Sequence, residues 1–142
     1  MQETGIHRQL GLILIVVLVA FGIVGCGGSG RPKTIPITGL VKIDGKEPGE
    51  AGMLYFVPTK AAEGYAKRPA NGSFNNQGKY RIMSWEVDDG LVPGHYTVTL
   101  VPGDPAKSAI PTKYRSNTTS GLELDVTADQ GKVVYDIEVH TK

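Results

Sequence analysis

One cysteine, one tryptophan, three histidines and almost no surplus of charge mark this 142-residue chain, and each scarcity removes a class of function. Cys26 stands alone, so no disulfide braces the fold. Zinc requires three or four converging nitrogen, sulfur or oxygen ligands. His7, His95 and His140 form no His-x-His or His-x-x-x-His pair, so no zinc site is expected. Fifteen Lys and Arg stand against fourteen Asp and Glu, a formal net charge of +1. A nucleic-acid binder needs a basic surplus to displace counterions, and nucleic acid is therefore excluded as a partner. Helical spacing is missing too. No segment after residue 30 repeats apolar residues at three- and four-residue intervals.

Catalytic motifs are equally sparse. Acyl transfer would need a serine with a base and an oxyanion hole; Gly-x-Ser-x-Gly is absent and Ser29 sits in a glycine run. The stretch from Gly72 to Gly78-Lys79 has one residue too many between its glycines for a phosphate loop. It also has Tyr80 where a magnesium-binding Ser or Thr would stand. Glu86, Asp88 and Asp89 offer oxygens suited to calcium, but at a spacing unlike a calcium loop, and three acids in a loop are ordinarily just solvated. His95 and His140 fall on the polar side of strand patterns and read as rim residues. No cofactor is implied, and the chain does not read as an enzyme.

What the chain does have begins at its start. Nine polar-rich residues with Arg8 precede fifteen largely apolar ones, 10–24, and then come Gly25, Cys26, Gly27 and Gly28. A charged start, an apolar stretch of about 7–15 residues and small residues at the cut define a signal peptide. A membrane-spanning helix wants roughly 20 apolar residues; this run is shorter, and glycine, a poor helix former, ends it. The competing reading is an uncleaved signal anchor with an incidental thiol. The run Ile23-Val24-Gly25-Cys26 resembles the lipobox of bacterial lipoproteins. That resemblance implies diacylglycerol on the Cys26 sulfur, cleavage between Gly25 and Cys26, and a membrane partner reached through the lipid. Gly27 puts no acidic residue after the cysteine to retain the protein on an inner membrane. An outer-membrane or cell-surface location follows. The expected organisation is a signal peptide over 1–25, a lipidated cysteine and flexible tether over 26–34, and one domain over 35–142. The 117 residues left by cleavage suffice for one domain and are too few for two.

Within that domain the apolar residues alternate. Ile35, Ile37, Val41 and Ile43 are separated by polar neighbours, with Gly39 interrupting, which is the pattern of a strand with one buried face. Asp44-Gly45 then makes a turn. Residues 51–57 are apolar on both faces and read as a more central strand that Pro58 ends. Phe74 and Tyr80 flank a turn at Asn75-Asn76-Gln77-Gly78. Tyr96, Val98 and Leu100 alternate after Pro93-Gly94, Leu122, Leu124 and Val126 follow, and Val133, Tyr135, Ile137 and Val139 close the series. About seven short strands with regular turns predict an all-β, antiparallel seven-stranded sandwich.

Three pieces in order carry a second resemblance: Gly39-Leu40-Val41-Lys42-Ile43-Asp44-Gly45-Lys46 with Met53-Leu54-Tyr55-Phe56-Val57-Pro58; Gly72-Ser73-Phe74 with Gly78-Lys79-Tyr80; and Gly90-Leu91-Val92-Pro93-Gly94-His95-Tyr96-Thr97-Val98. Together with Ile110-Pro111-Thr112-Lys113-Tyr114 they resemble a carboxypeptidase regulatory-like, or transthyretin-like, domain. The resemblance implies a prealbumin-like sandwich that is typically non-catalytic. Tyr114-Arg115-Ser116 faintly resembles the end of transthyretin-related hydroxyisourate hydrolases, but lacks their glycine, their C-terminal position and an early histidine. Related surface domains form a Lys–Asn or Lys–Asp isopeptide bond between first and last strands. Alternation puts Lys42 and Asp136 on the wet side, so a surface charge pair is expected instead.

Two functional readings remain. One is a lipid-anchored structural or protein-interaction module of the cell envelope. The other is a carbohydrate-binding lipoprotein using Trp85, Tyr65 and Tyr114 as an aromatic platform for a glycan. Against that platform, Met83 and Val87 flank Trp85 at two-residue spacing and continue a strand pattern through it, so Trp85 is expected to cap the core. The anchor has its own test: Cys26→Ser should abolish lipidation and leave the precursor uncleaved, because no thiol is left to alkylate. Fatty-acid labelling that still marks the Ser variant would refute it.

Overall fold

The computed structural model describes residues 30–142. The chain divides into two units, Met1–Arg31 and Pro32–Lys142, so the expected signal segment, Gly25 and Cys26 lie outside the described residues. The second unit is built from strands: β1 (Ile37–Ile43), β2 (Gly52–Ala61), β3 (Ala70–Phe74), β4 (Lys79–Met83), β5 (Gly94–Pro102), β6 (Leu122–Val126), β7 (Val133–Val134) and β8 (Ile137–Val139). One 3-10 turn, Thr112–Arg115, precedes β6, and the described residues contain no α-helix.

The strands lie in the order β6-β5-β2-β3-β4-β1-β7, with β8 also beside β1. β7 and β8 thus share one position along β1, which gives seven places for eight strands. Pairing is antiparallel except at β1, where both C-terminal strands run parallel to it. This corrects the wholly antiparallel expectation. The reason is the chain's path. After β6, on one edge, residues 127–132 carry it to the opposite edge, and it enters beside β1 in the same direction. A flat sheet of seven would be roughly 29 Å across, while that connection reaches at most ~25 Å when fully stretched. The sheet therefore curls toward closure around one core.

Alternation selects that core. Ile35, Leu54, Phe56, Ile82, Val98, Leu100, Ile137 and Val139 are wholly buried in a single apolar cluster fed by both halves of the sheet. Phe56 and Tyr96 meet edge to face at 6.4 Å. The Tyr96 hydroxyl donates to the Val92 carbonyl at 2.6 Å, and burial pushes its pKa up to about 12. Pro58 does not end β2 as expected. The strand continues to Ala61, and a register shift between Pro58 and Lys60 absorbs the missing N–H.

Nor is the last strand continuous. It breaks at Tyr135-Asp136, opposite Gly39-Leu40. The Asp136 carboxylate accepts from the Leu40 amide at 2.9 Å, replacing a ladder carbonyl. The Tyr135 amide donates to Thr38 at 2.8 Å, and the Tyr80 hydroxyl donates to the Tyr135 carbonyl. Gly39 makes this approach possible, since a Cβ there would stand 2.0 Å from the Tyr135 oxygen. Burial, and then the Glu123 carboxylate on β6, raise the Tyr135 hydroxyl, and its ring packs against the core.

At the other end of β1, Asp44 clasps the chain terminus. Its carboxylate accepts from the Thr141 amide at 3.1 Å and from the Thr141 hydroxyl, and these bonds hold it below the usual carboxylate range. The long segment 103–121 closes this end, with Ile110 and Tyr114 inserted into the core. Glu50 pins it by accepting from the Ser108 hydroxyl at 2.8 Å.

Gly39→Ala should therefore cost at the upper end of the roughly 1–3 kcal/mol typical of overpacking, because backbone stands on the far side of the clash. Gly131→Ala, with nothing within 4 Å of the added methyl, should change stability by less than about 0.5 kcal/mol, as surface substitutions do. Urea unfolding that gave equal midpoints for the two would contradict this account of the seam.

Candidate functional site

The outward face of the sheet is ordered in rows by strand register. Val101, Met53, Ser73 and Arg81 form one row across β5, β2, β3 and β4. Thr99, Tyr55, Asn71 and Met83 form the next. The side chains on β3, Asn71 and Ser73, are short, while those beside them on β2 and β4 are long. A trough follows β3 as a result. At its end the connection after β4 folds back, and Arg81 closes an ion pair with Asp88 at 2.6 Å. The resulting open groove measures about 770 Å³, with Met53, Met83 and Val87 as its apolar wall and Ser73, Asn71 and Lys79 as its polar one. Tyr55, Met83 and Val101 are all exposed on this face, and Val87 is 78% exposed.

Ser73 lies across the register from Arg81, whose guanidinium is paired with Asp88, and neither described histidine lines the groove. His95 lies on β5, where Nδ1 is 2.7 Å from the Asp125 carboxylate and Nε2 is 3.7 Å from that of Glu123, both on β6. His140 lies by Asp44 at the C-terminal clasp. Besides sulfur and methyl surface and the Ser73 hydroxyl, the groove presents the Lys79 ammonium and the Arg81–Asp88 ion pair, so it offers charged as well as apolar contacts.

The three aromatic residues of the expected platform do not come together. Trp85 and Tyr65 sit in the connections at the end where β1 begins, both half-buried. Tyr114 is at the other end, 4% exposed in the core, its hydroxyl accepting from the His140 amide at 3.1 Å. Trp85 does not cap the core either; it lies outside the apolar cluster. The Arg68 guanidinium covers its ring at 4.0 Å and donates to the Ser84 carbonyl at 3.1 Å through Nε. The two-residue alternation fails here because Asp89 bends the chain. Its carboxylate accepts from the amides of Ser84 at 2.7 Å, Trp85 at 2.9 Å and Glu86 at 3.1 Å.

That bonding also answers the calcium question for these acids. Asp89 is turned to backbone amides and Asp88 to Arg81, so they do not converge with Glu86 on a common point. Among the described residues no group of three His, Cys, Asp or Glu is arranged to hold a metal ion. Lys42 and Asp136 form the expected surface charge pair, at 4.0 Å with both side chains exposed.

The groove residues and Arg68 escaped the sequence reading. A signal for the former existed: Met53 and Met83 are apolar residues on the outward phase of their strands, where polar ones are expected. Arg68 had none, since its role depends on two connections meeting in space. No protein family, curated protein or solved structure matches this chain.

Asp89→Ala should cost about 1–2 kcal/mol, as loss of a capping carboxylate does. Trp85→Ala should cost less than the roughly 3–5 kcal/mol of a deleted core aromatic. Thermal denaturation decides: a Trp85→Ala loss in that core range would restore the capping role.

Proposed function

We propose that this chain is a non-catalytic, lipid-anchored lipoprotein of a bacterial envelope, tethered through Cys26, whose β-domain binds a partner protein. On this reading the domain is a carboxypeptidase regulatory-like, prealbumin-like sandwich of seven strand positions. The curled sheet around a single core, the Asp44-Gly45 turn and the strand entry at Gly94 support that assignment.

One observation carries the functional part: the groove along β3 and the apolar side chains that wall it, on a face where alternation would place polar ones. Exposed apolar area of this kind, bordered by polar groups, is what a protein contact surface needs. The glycan-binding alternative is weakened by the separation of Tyr114 from Trp85 and by Arg68 on the Trp85 ring.

Position-specific photocrosslinking in the native membrane tests this. A photoreactive residue at Met83 should give a discrete adduct with another envelope protein, and one at Thr118, exposed on segment 103–121, should give none. No adduct at Met83, or the same adducts from both positions, would defeat the proposal.

A further inference from the structure

We infer that the end of the sheet where β1 begins, bearing Trp85, Tyr65 and Val87, rests on the surface of the lipid bilayer that holds the anchor. This deepens the reading above, because it rests on lipidation of Cys26, and it gives the domain a defined face toward the membrane.

The point of entry is fixed by hydrogen bonds. Ile35 exchanges backbone bonds with Leu91 at 2.7 and 2.9 Å, Ala62 donates to Pro93 at 3.2 Å, and the Lys33 ammonium donates to the Ala128 carbonyl at 3.1 Å. The connections 62–69, 84–90 and 127–132 therefore gather around the start of β1. Only six residues, 27–32, separate Cys26 from Lys33. Fully extended, that length spans at most ~25 Å. A lipid on Cys26 keeps this end near the bilayer whatever path the tether takes. The opposite end, with its Asp44-Gly45 turn and segment 103–121, is held a domain's length farther away.

The side chains at the two ends differ in the way a bilayer interface selects. The near end presents Trp85 and Tyr65, half-buried, and Val87, the most exposed large apolar side chain of the described residues at 78%. At the far end the aromatic residues, Phe74, Tyr80 and Tyr114, are sealed in the core. Trp and Tyr favour the headgroup level, where an apolar ring body and a polar edge are both accommodated. The Arg68 guanidinium is held on the Trp85 ring by the Ser84 carbonyl, and Lys67 beside it is exposed. Charge does not distinguish the near end, where Lys33, Lys67, Arg68 and Lys132 are offset by Glu63, Glu86, Asp88, Asp89 and Asp129. The attraction is thus interfacial and insensitive to anionic lipid. A short tether also raises the effective concentration to roughly the millimolar range, so a weak contact suffices.

Trp85, the sole tryptophan, reports directly. The full chain, purified from its membrane, is reconstituted in phosphatidylcholine vesicles whose acyl chains carry bromine at carbons 6 and 7. Mass spectrometry of the Cys26 peptide checks for diacylglycerol in the same sample. Trp85 emission should fall at least twofold relative to unbrominated vesicles, and to the same extent when phosphatidylglycerol is added. Val87→Asp should remove half or more of that quenching. A lipidated chain with equal emission in both vesicles would overturn the inference and leave the anchor standing. So would Trp85 shielded from aqueous iodide yet untouched by bromine, since protein and not lipid would then cover it. A Cys26 peptide without diacylglycerol would overturn the anchor, and the docked orientation with it.

Discussion

Everything in this fold hangs on β1 being paired along both sides. Its partner on one side is the neighbouring hairpin strand β4; on the other it is the chain's own C-terminus. Without a disulfide, that second pairing is what joins the first and last strands. It depends on Gly39, which admits the Tyr135 carbonyl, and on Tyr80, whose hydroxyl donates to that carbonyl. Burial pushes the Tyr80 hydroxyl far above its ordinary value, so it remains a donor at any physiological pH. The curl of the sheet, the buried Ile137 and Val139, and the clasp at Asp44 all follow from this contact.

Most strands were legible because burial on one face imposes a period of two, and period two is local. The buried phases of β1, β4, β5 and β6 fall where alternation put them. What sequence could not convey was non-local. The parallel return of β7 and β8 is decided by the crossing at 127–132, and their break at Tyr135-Asp136 by a glycine nearly a hundred residues earlier. Pro58 was misjudged for a related reason: a register shift makes proline tolerable inside a strand, and such a shift has no local signature. The proposed anchor motif lies outside the described residues, and its reading rests on the sequence alone.

The candidate site divides along the same line. The outward apolar residues of β2 and β4 were visible as breaches of alternation, although the trough between them requires knowing that Asn71 and Ser73 lie alongside. The aromatic platform was assembled by residue type alone, and it fails because Trp85 and Tyr114 belong to opposite ends. In its place stand two adjoining surfaces, a side wall carrying the groove and an end carrying the entry loops, and Val87 borders both.

The partnership between β1 and the C-terminus also sets a schedule. The bonds from Leu40 to Asp136 and from Gly45 to Glu138 close loops of 96 and 93 residues. Contacts of such range form late, since loop closure must precede any stabilisation they give. A chain moved through a membrane from its N-terminus would deliver β1 first and its second partner last. Until residues 133–141 arrive, the apolar face of β1 has no finished core to enter. The same topology that secures the folded domain would thus hold an incomplete chain open until its last residues are in place.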